Sequence, residues 1–187
     1  MQHDSDLTGK ILIAMPEMGD PRFQRSVVLV CAHSDEGAMG IVLNQPMQGM
    51  GIPELLDMLG IEPADGALEL PVRVGGPVEP VRGFVLHPQQ GALEDGSMDV
   101  GNGLALTTTR DILVELAEGR GPSQAMLALG YSGWGPGQLD DELRANGWLT
   151  ANMDPDYAFG DPAEAWMRAL QSLGVDPLSL SGAAGRA

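Results

Sequence analysis

The stretch Gly130-Tyr131-Ser132-Gly133-Trp134-Gly135-Pro136-Gly137-Gln138-Leu139 sets a hydroxyl, an indole and a primary amide close together. It lies between an apolar run, 125–129, and a helical pattern that opens at Leu139. Read as strand, glycine-rich turn and helix start, it is a good place to build a site. Three chemistries can be tested on it. An anion cradle uses the free N–H groups of a helix start. Here no lysine or arginine lies between Gly121 and Asp141, and the helix opens with Asp140, Asp141 and Glu142, which repel a phosphate. Those acids instead complement the helix dipole. A nucleophile elbow needs glycine two residues before and two after the serine. Gly130 satisfies the first position for Ser132, but Trp134 occupies the second. A metal centre needs converging ligands. His3, His33 and His87 are scattered, without helix-spaced or hairpin-spaced partners, so neither a metal nor a cofactor is expected.

Other polar positions stand at the ends of expected strands. Gly75-Gly76-Pro77-Val78 needs special backbone angles or a close backbone approach. His87-Pro88 and Asn44-Gln45-Pro46 read as strand-ending turns. The expectation is a binding cleft formed by Asn44, Gly75, Gly76, Pro77, His87, Ser132, Gly133, Trp134, Gln138 and Glu142. In it Trp134 is an apolar platform, Gln138 a bidentate amide and Glu142 a charge at the rim. The competing reading makes Trp134 a plug between sheet and helix, with the glycines giving it room. Met47, Met50 and Met58 flank an expected helix, where methionine serves either as gap filler or as an adaptable surface.

Positioning these residues falls to short elements. Strands are expected at 10–15, 27–33, 40–43, 72–74, 83–87, 104–107, 125–129 and 148–151, with 27–33 and 40–43 paired as a hairpin across Asp35-Glu36-Gly37. Helices are expected at 53–59, 110–118, 139–145 and 162–173. Gly60, Gly119 and Asn146-Gly147 end the first three. The fourth has Asp161 as N-cap, Pro162 in its first turn and Glu164 to close a capping box, with Trp166, Ala169, Leu170 and Leu173 on its apolar stripe. Strands that come in groups with helices inserted favour an α+β fold with a mixed, largely antiparallel sheet. One domain over 7–180 is expected, with mobile tails at 1–6 and 181–187.

Charge narrows the partners. The net charge is −16, from ten basic against twenty-six acidic residues, and Lys10 is the sole lysine. Phosphate backbones are bound by clustered basic side chains, so direct nucleic-acid binding is disfavoured. Anionic membrane surfaces are disfavoured for the same reason. A basic protein partner or a small molecule remains. One cysteine, Cys31, excludes an internal disulfide, and its apolar run reads as a buried strand too short to cross a bilayer. The polar N-terminus does not read as a signal peptide, which makes a cytoplasmic protein the expectation.

Several blocks taken together resemble the YqgE/AlgH family of bacterial proteins. They are Leu12-Ile13-Ala14-Met15-Pro16 running on to Phe23, Glu36-Gly37-Ala38-Met39-Gly40, Asn44-Gln45-Pro46, and Gly75-Gly76-Pro77-Val78. Gly133-Trp134, Gly137-Gln138-Leu139, Glu142 and Trp148-Leu149 follow in the same order, so the resemblance spans about Leu7 to Val175. Gln45 departs from the family's usual basic residue and Asp140 from its glutamate. The resemblance implies an α+β fold whose sheet is bent into a barrel-like form with short flanking helices. It brings an association with transcriptional regulation, but no established activity and no DNA-binding motif. The leading expectation is therefore a non-catalytic regulatory or interaction protein with an indirect effect on transcription. The alternative is a small-molecule hydrolase or transferase, which requires Ser132, His87 and Glu142 to converge.

Overall fold

Strand β1 (Lys10–Ala14) shows the rule that builds the molecule. Ile11 and Ile13 face one apolar cluster, while Leu12 and Ala14 face another. Successive side chains of a strand point to opposite faces, so an almost wholly apolar strand must be covered on both. The computed structural model describes residues 6–16, 20–63, 70–93, 95–108 and 110–176. The expected tails lie outside them, apart from Asp6.

After a 3₁₀ turn (Pro21–Phe23) come β2 (Val27–Ser34) and β3 (Gly37–Val42), joined as the expected hairpin. Then follow α1 (Ile52–Met58), β4 (Val72–Val74), β5 (Val78–Pro88), β6 (Ser97–Asp99) and β7 (Leu104–Thr107). Next come α2 (Arg110–Ala117), β8 (Met126–Trp134), α3 (Gln138–Arg144) and β9 (Trp148–Asn152). The last elements described are α4 (Asp156–Phe159) and α5 (Pro162–Ser172). The strands run β6-β7-β5-β8-β3-β2-β1-β9 in one sheet. Every pairing along that path is antiparallel, while β4 joins β8 in parallel. This is the mixed, largely antiparallel α+β arrangement expected from the sequence.

The sheet is curled into a half-barrel. Asn102, in the turn between β6 and β7, donates its amide to the Gly9 carbonyl just before β1 at 2.8 Å, so regions far apart in the strand order meet. The inner face gathers Ile11, Leu29, Phe84, Leu106 and Met126. Helix α5 covers part of that face with Trp166, Ala169 and Leu170, and the Trp166 indole donates to the Ala14 carbonyl at 2.8 Å. Asp161 caps α5 through the Ala163 N–H at 2.9 Å. The outer face has two separate covers. Helices α1 and α2 cover Val72, Val85 and Leu127, and α3 covers Val28, Val30 and Val42. Cys31 is buried in the inner cluster, and burial pushes its thiol up to about 12.

Three expectations are corrected. The segment from Gly130 to Trp134 is strand and not turn, since β8 runs unbroken to Trp134 and pairs with β3 from Ser132 onward. Gly130 marks a close backbone approach, since a Cβ there would stand 2.4 Å from the Gly76 carbonyl oxygen, a role that composition alone does not separate from turn formation. Strand β5 starts at Val78 and β3 at Gly37, both earlier than expected. An irregularity between Val78 and Gly83 lets β5 continue along β8 past Gly130, which has φ +79°. Strand β6 and helix α4 were not foreseen, being only three and four residues long, too short for periodicity to register.

Candidate functional site

The aromatic segment closes on itself. The Glu142 Oε1 atom accepts the indole N–H of Trp134 at 3.0 Å and that of Trp148 at 2.9 Å. Its Oε2 accepts from the Gln138 amide at 2.9 Å, and the Gln138 oxygen accepts the Gly135 N–H at 3.0 Å. Trp134 and Trp148 meet edge to face with centroids 6.1 Å apart, and Phe23 meets Trp148 in the same way at 5.8 Å. A carboxylate carrying three N–H donors, two of them from a strand on either side of α3, is a latch between helix and sheet. Trp134 is only 7% exposed and packs on Val28, Val42 and Leu139, which is the plug arrangement. The amide and carboxylate assigned to a cleft are thus occupied within the protein.

The glycine pair lies behind the same strand. A Cβ on Gly75 would stand 2.3 Å from the Gly130 carbonyl oxygen, and one on Gly76 would stand 2.2 Å from the Tyr131 backbone. The pair exists because two backbones cross there, and Pro77 beyond it is exposed. Ser132 is fully buried and donates to the Gly75 carbonyl at 3.2 Å, so its hydroxyl braces the crossing. Asn44 sits elsewhere, accepting the Val27 N–H at 2.9 Å and donating to the Arg25 carbonyl at 2.8 Å. His87 is farther still. Its neighbour Leu86 pairs with Met126, six residues before Ser132 on β8, a separation of about 20 Å at ordinary strand rise. The ten residues expected to share a cleft are therefore dispersed, and Ser132, His87 and Glu142 do not converge as the enzymatic alternative requires. His33 belongs to β2, within the strand expected at 27–33. Its Nδ1 accepts the Leu7 N–H at 3.1 Å, and its Nε2 lies 3.6 Å from Asp140.

Two concavities take the place of that cleft. One, of about 860 Å³, is the open end of the curled sheet. Met39, Phe84, Met98 and Tyr131 line it, with Gly133 and Trp134 at the margin and Arg82 stacked 5.1 Å from the Phe84 ring. The other, of about 460 Å³, lies between the end of β5, strand β7 and helix α2. His87 stands in it, with Nε2 2.7 Å from Thr107 Oγ1 and Nδ1 2.9 Å from the Pro88 carbonyl oxygen. Ser97 Oγ lies 2.7 Å from the same Thr107 oxygen. Neither Ser97 nor Thr107 was singled out from sequence. Their pairing depends on the register of β6 against β7, which places Ser97 opposite Thr107. The one available signal was a threonine closing an apolar strand.

A third, smaller hollow of about 280 Å³ involves Arg22, Arg25 and Asn44 near the start of α5. Arg22 is tied to Asp20, whose carboxyl the guanidinium holds below its ordinary range, and Arg25 stacks 5.3 Å from the Trp166 ring. Nearby Arg73 is buried and donates to the Leu43 carbonyl at 2.6 Å. Burial pulls its guanidinium down from the ordinary value, and Asp161 offsets part of that. Among the described residues no three histidine, cysteine or acidic side chains come together as a metal centre, and no helix is long and apolar enough to cross a membrane.

A family model described as AlgH-like matches residues 11–178. The chain is 56% identical over 190 residues to a UPF0301 protein of Paracoccus denitrificans strain Pd 1222, covering 100% of both. It is 52% identical over 184 residues to a UPF0301 protein of Ruegeria pomeroyi, covering 97% of this chain and 100% of that one. Among solved structures it is similar to the solution structure of the AlgH protein from Pseudomonas aeruginosa. The TM-score is 0.79 at 40% identity, over 98% of this chain and 97% of the other. A protein from Corynebacterium diphtheriae shares the fold at 20% identity, with a TM-score of 0.71 over 92% and 90% of the two chains.

Proposed function

This chain belongs to the AlgH-like family of bacterial proteins, and on that premise we propose that it is a non-catalytic, cytoplasmic regulatory protein that acts by binding a protein partner. The observation that carries this reading is the open end of the half-barrel. A concavity of about 860 Å³ is floored by Met39, Phe84, Met98 and Tyr131. Methionine and aromatic side chains make adaptable, high-area contacts, and such residues are enriched where proteins meet. A net charge of −16 steers a basic partner toward this protein and repels nucleic acid. Any effect on transcription is therefore indirect, through that partner.

The test is affinity capture from the native host, followed by titration of the recovered protein against wild type, Met98→Asp and Tyr131→Asp. A carboxylate on the apolar floor weakens binding by about tenfold or more, or 1.4 kcal/mol. Both positions are half-buried and pack on the inner cluster, so the melting curve of each variant is read beside its affinity. Equal affinity in all three proteins overturns the assignment of the groove.

A further inference from the structure

We propose that the cavity between the end of β5, strand β7 and helix α2 is a binding site for a small organic cation, an amine or guanidine that also carries hydroxyl groups. The site goes beyond the partner groove and shares only Ser97 with it. Its volume of about 460 Å³ suits a metabolite.

The hydrogen bonds around His87 set the polarity of the cavity wall. The Pro88 carbonyl can only accept, so His87 Nδ1 donates to it across 2.9 Å. In the neutral imidazole Nε2 is then an acceptor, and the proton in the 2.7 Å contact comes from Thr107. A hydroxyl has a single proton, so the 2.7 Å contact between Ser97 and Thr107 is filled by the Ser97 proton. The chain of donors ends there. Ser97 therefore presents oxygen lone pairs to the cavity and no donor. With a neutral His87 ring, this direction follows from the Pro88 carbonyl and needs no assumption about a ligand.

The charged groups around the cavity have the same sense. Among the described residues, Asp95, Asp111 and Glu115 line it against one cation, Arg120. The Arg120 guanidinium is engaged by Glu118, with Nε 3.0 Å from its carboxylate. Acceptors and negative charge thus predominate, and a ligand must supply donors and positive charge. A bare metal ion does not meet the need, because these carboxylates do not gather as a metal-binding group among the described residues. Asp111 and Glu115 stand one turn apart on α2 and Asp95 comes from the segment before β6, as suits a molecule with several donors. Leu93 and Ile112 add apolar wall for its carbon skeleton.

The experiment titrates glucosamine, agmatine and ethanolamine into the full-length protein at physiological ionic strength, with N-acetylglucosamine as the neutral control. Backbone amide shifts are followed by NMR. At least one amine is expected to give saturable shifts centred on Ser97, Thr107 and Glu115. Glu115→Gln, a half-buried position on α2, raises that Kd by about tenfold. Thr107→Val breaks the donor chain and weakens binding several-fold. Acetylating the amine abolishes the shifts. The proposal is overturned if no amine saturates by about 10 mM, a Kd too weak to matter, or if N-acetylglucosamine binds as well as glucosamine. It is also overturned if shifts spread over the surface and persist unchanged in both variants, which is the signature of amines screening an acidic protein.

Discussion

The Trp134–Glu142–Trp148 latch and the Ser97–Thr107–His87 chain use similar groups, a ring N–H or nitrogen set against side-chain oxygens, yet one is closed and the other open. At the latch three N–H donors converge on one carboxylate, two on Oε1 and one on Oε2. At the chain the donors run in one direction and end on a serine that borders a cavity. Polar groups that satisfy one another hold elements together. Polar groups that end at a cavity leave a valence for something else. The comparison turns the emphasis of the sequence around, because its most conspicuous segment, around Trp134, lies on the closed side.

The sharpest way to break this contrast is at the backbone crossing behind the latch. Gly76→Ala places a Cβ about where the Tyr131 backbone already is. It is expected to cost on the order of 4 kcal/mol or more, or to prevent folding. A variant that chemical denaturation finds as stable as wild type would show that the crossing yields.

Trp134→Ala comes next. It removes a buried indole and one of the Glu142 donors. The expected loss is about 3–5 kcal/mol, a fall in Tm of roughly 6–20 °C for a domain of this size. A fall of only a degree or two would return Trp134 to the list of ligand-contacting residues.

Glu142→Gln isolates the polar part of the latch. The new amide nitrogen faces the Gln138 amide, donor against donor, where a carboxylate oxygen had accepted. A loss of about 1–3 kcal/mol is expected. Adding Gln138→Glu restores a donor–acceptor pair, and a double-mutant cycle should recover part of the loss. No recovery would locate the Glu142 contribution in the indoles alone.

The smallest effect concerns Cys31. Its thiol is raised from an ordinary 9.0 to about 12 by burial. Its contribution to stability is therefore whole below about pH 9 and is lost as pH rises toward 12, because the unfolded chain ionises first. Denaturation curves across that window should show a steeper decline for wild type than for Cys31→Ala. Thiol reagents at about pH 8 should label the native protein only as fast as it opens.

Much of the fold was legible in the chain. Among the described residues, eight of the nine strands follow from short apolar runs between turn residues, and the caps at Gly60, Gly119, Asn146 and Asp161 mark helix ends where the structure has them. These features are local, and local sterics and periodicity decide them. The arrangement of polar groups was not local. His87, Thr107 and Ser97 come together because an edge strand of three residues finds its register against β7. Glu142 meets two indoles because α3 crosses the sheet from the end of β8 to the start of β9. The cleft read from sequence joined residues that each resemble site residues, but a separation of about 20 Å along β8 keeps His87 and Ser132 apart. The sequence by itself determined which segments extend, which coil and which faces are apolar. Only the tertiary structure decided which polar groups are used up in holding it together and which are left facing a cavity, because a hydrogen bond between distant segments depends on register and curl, and neither is written in any one segment.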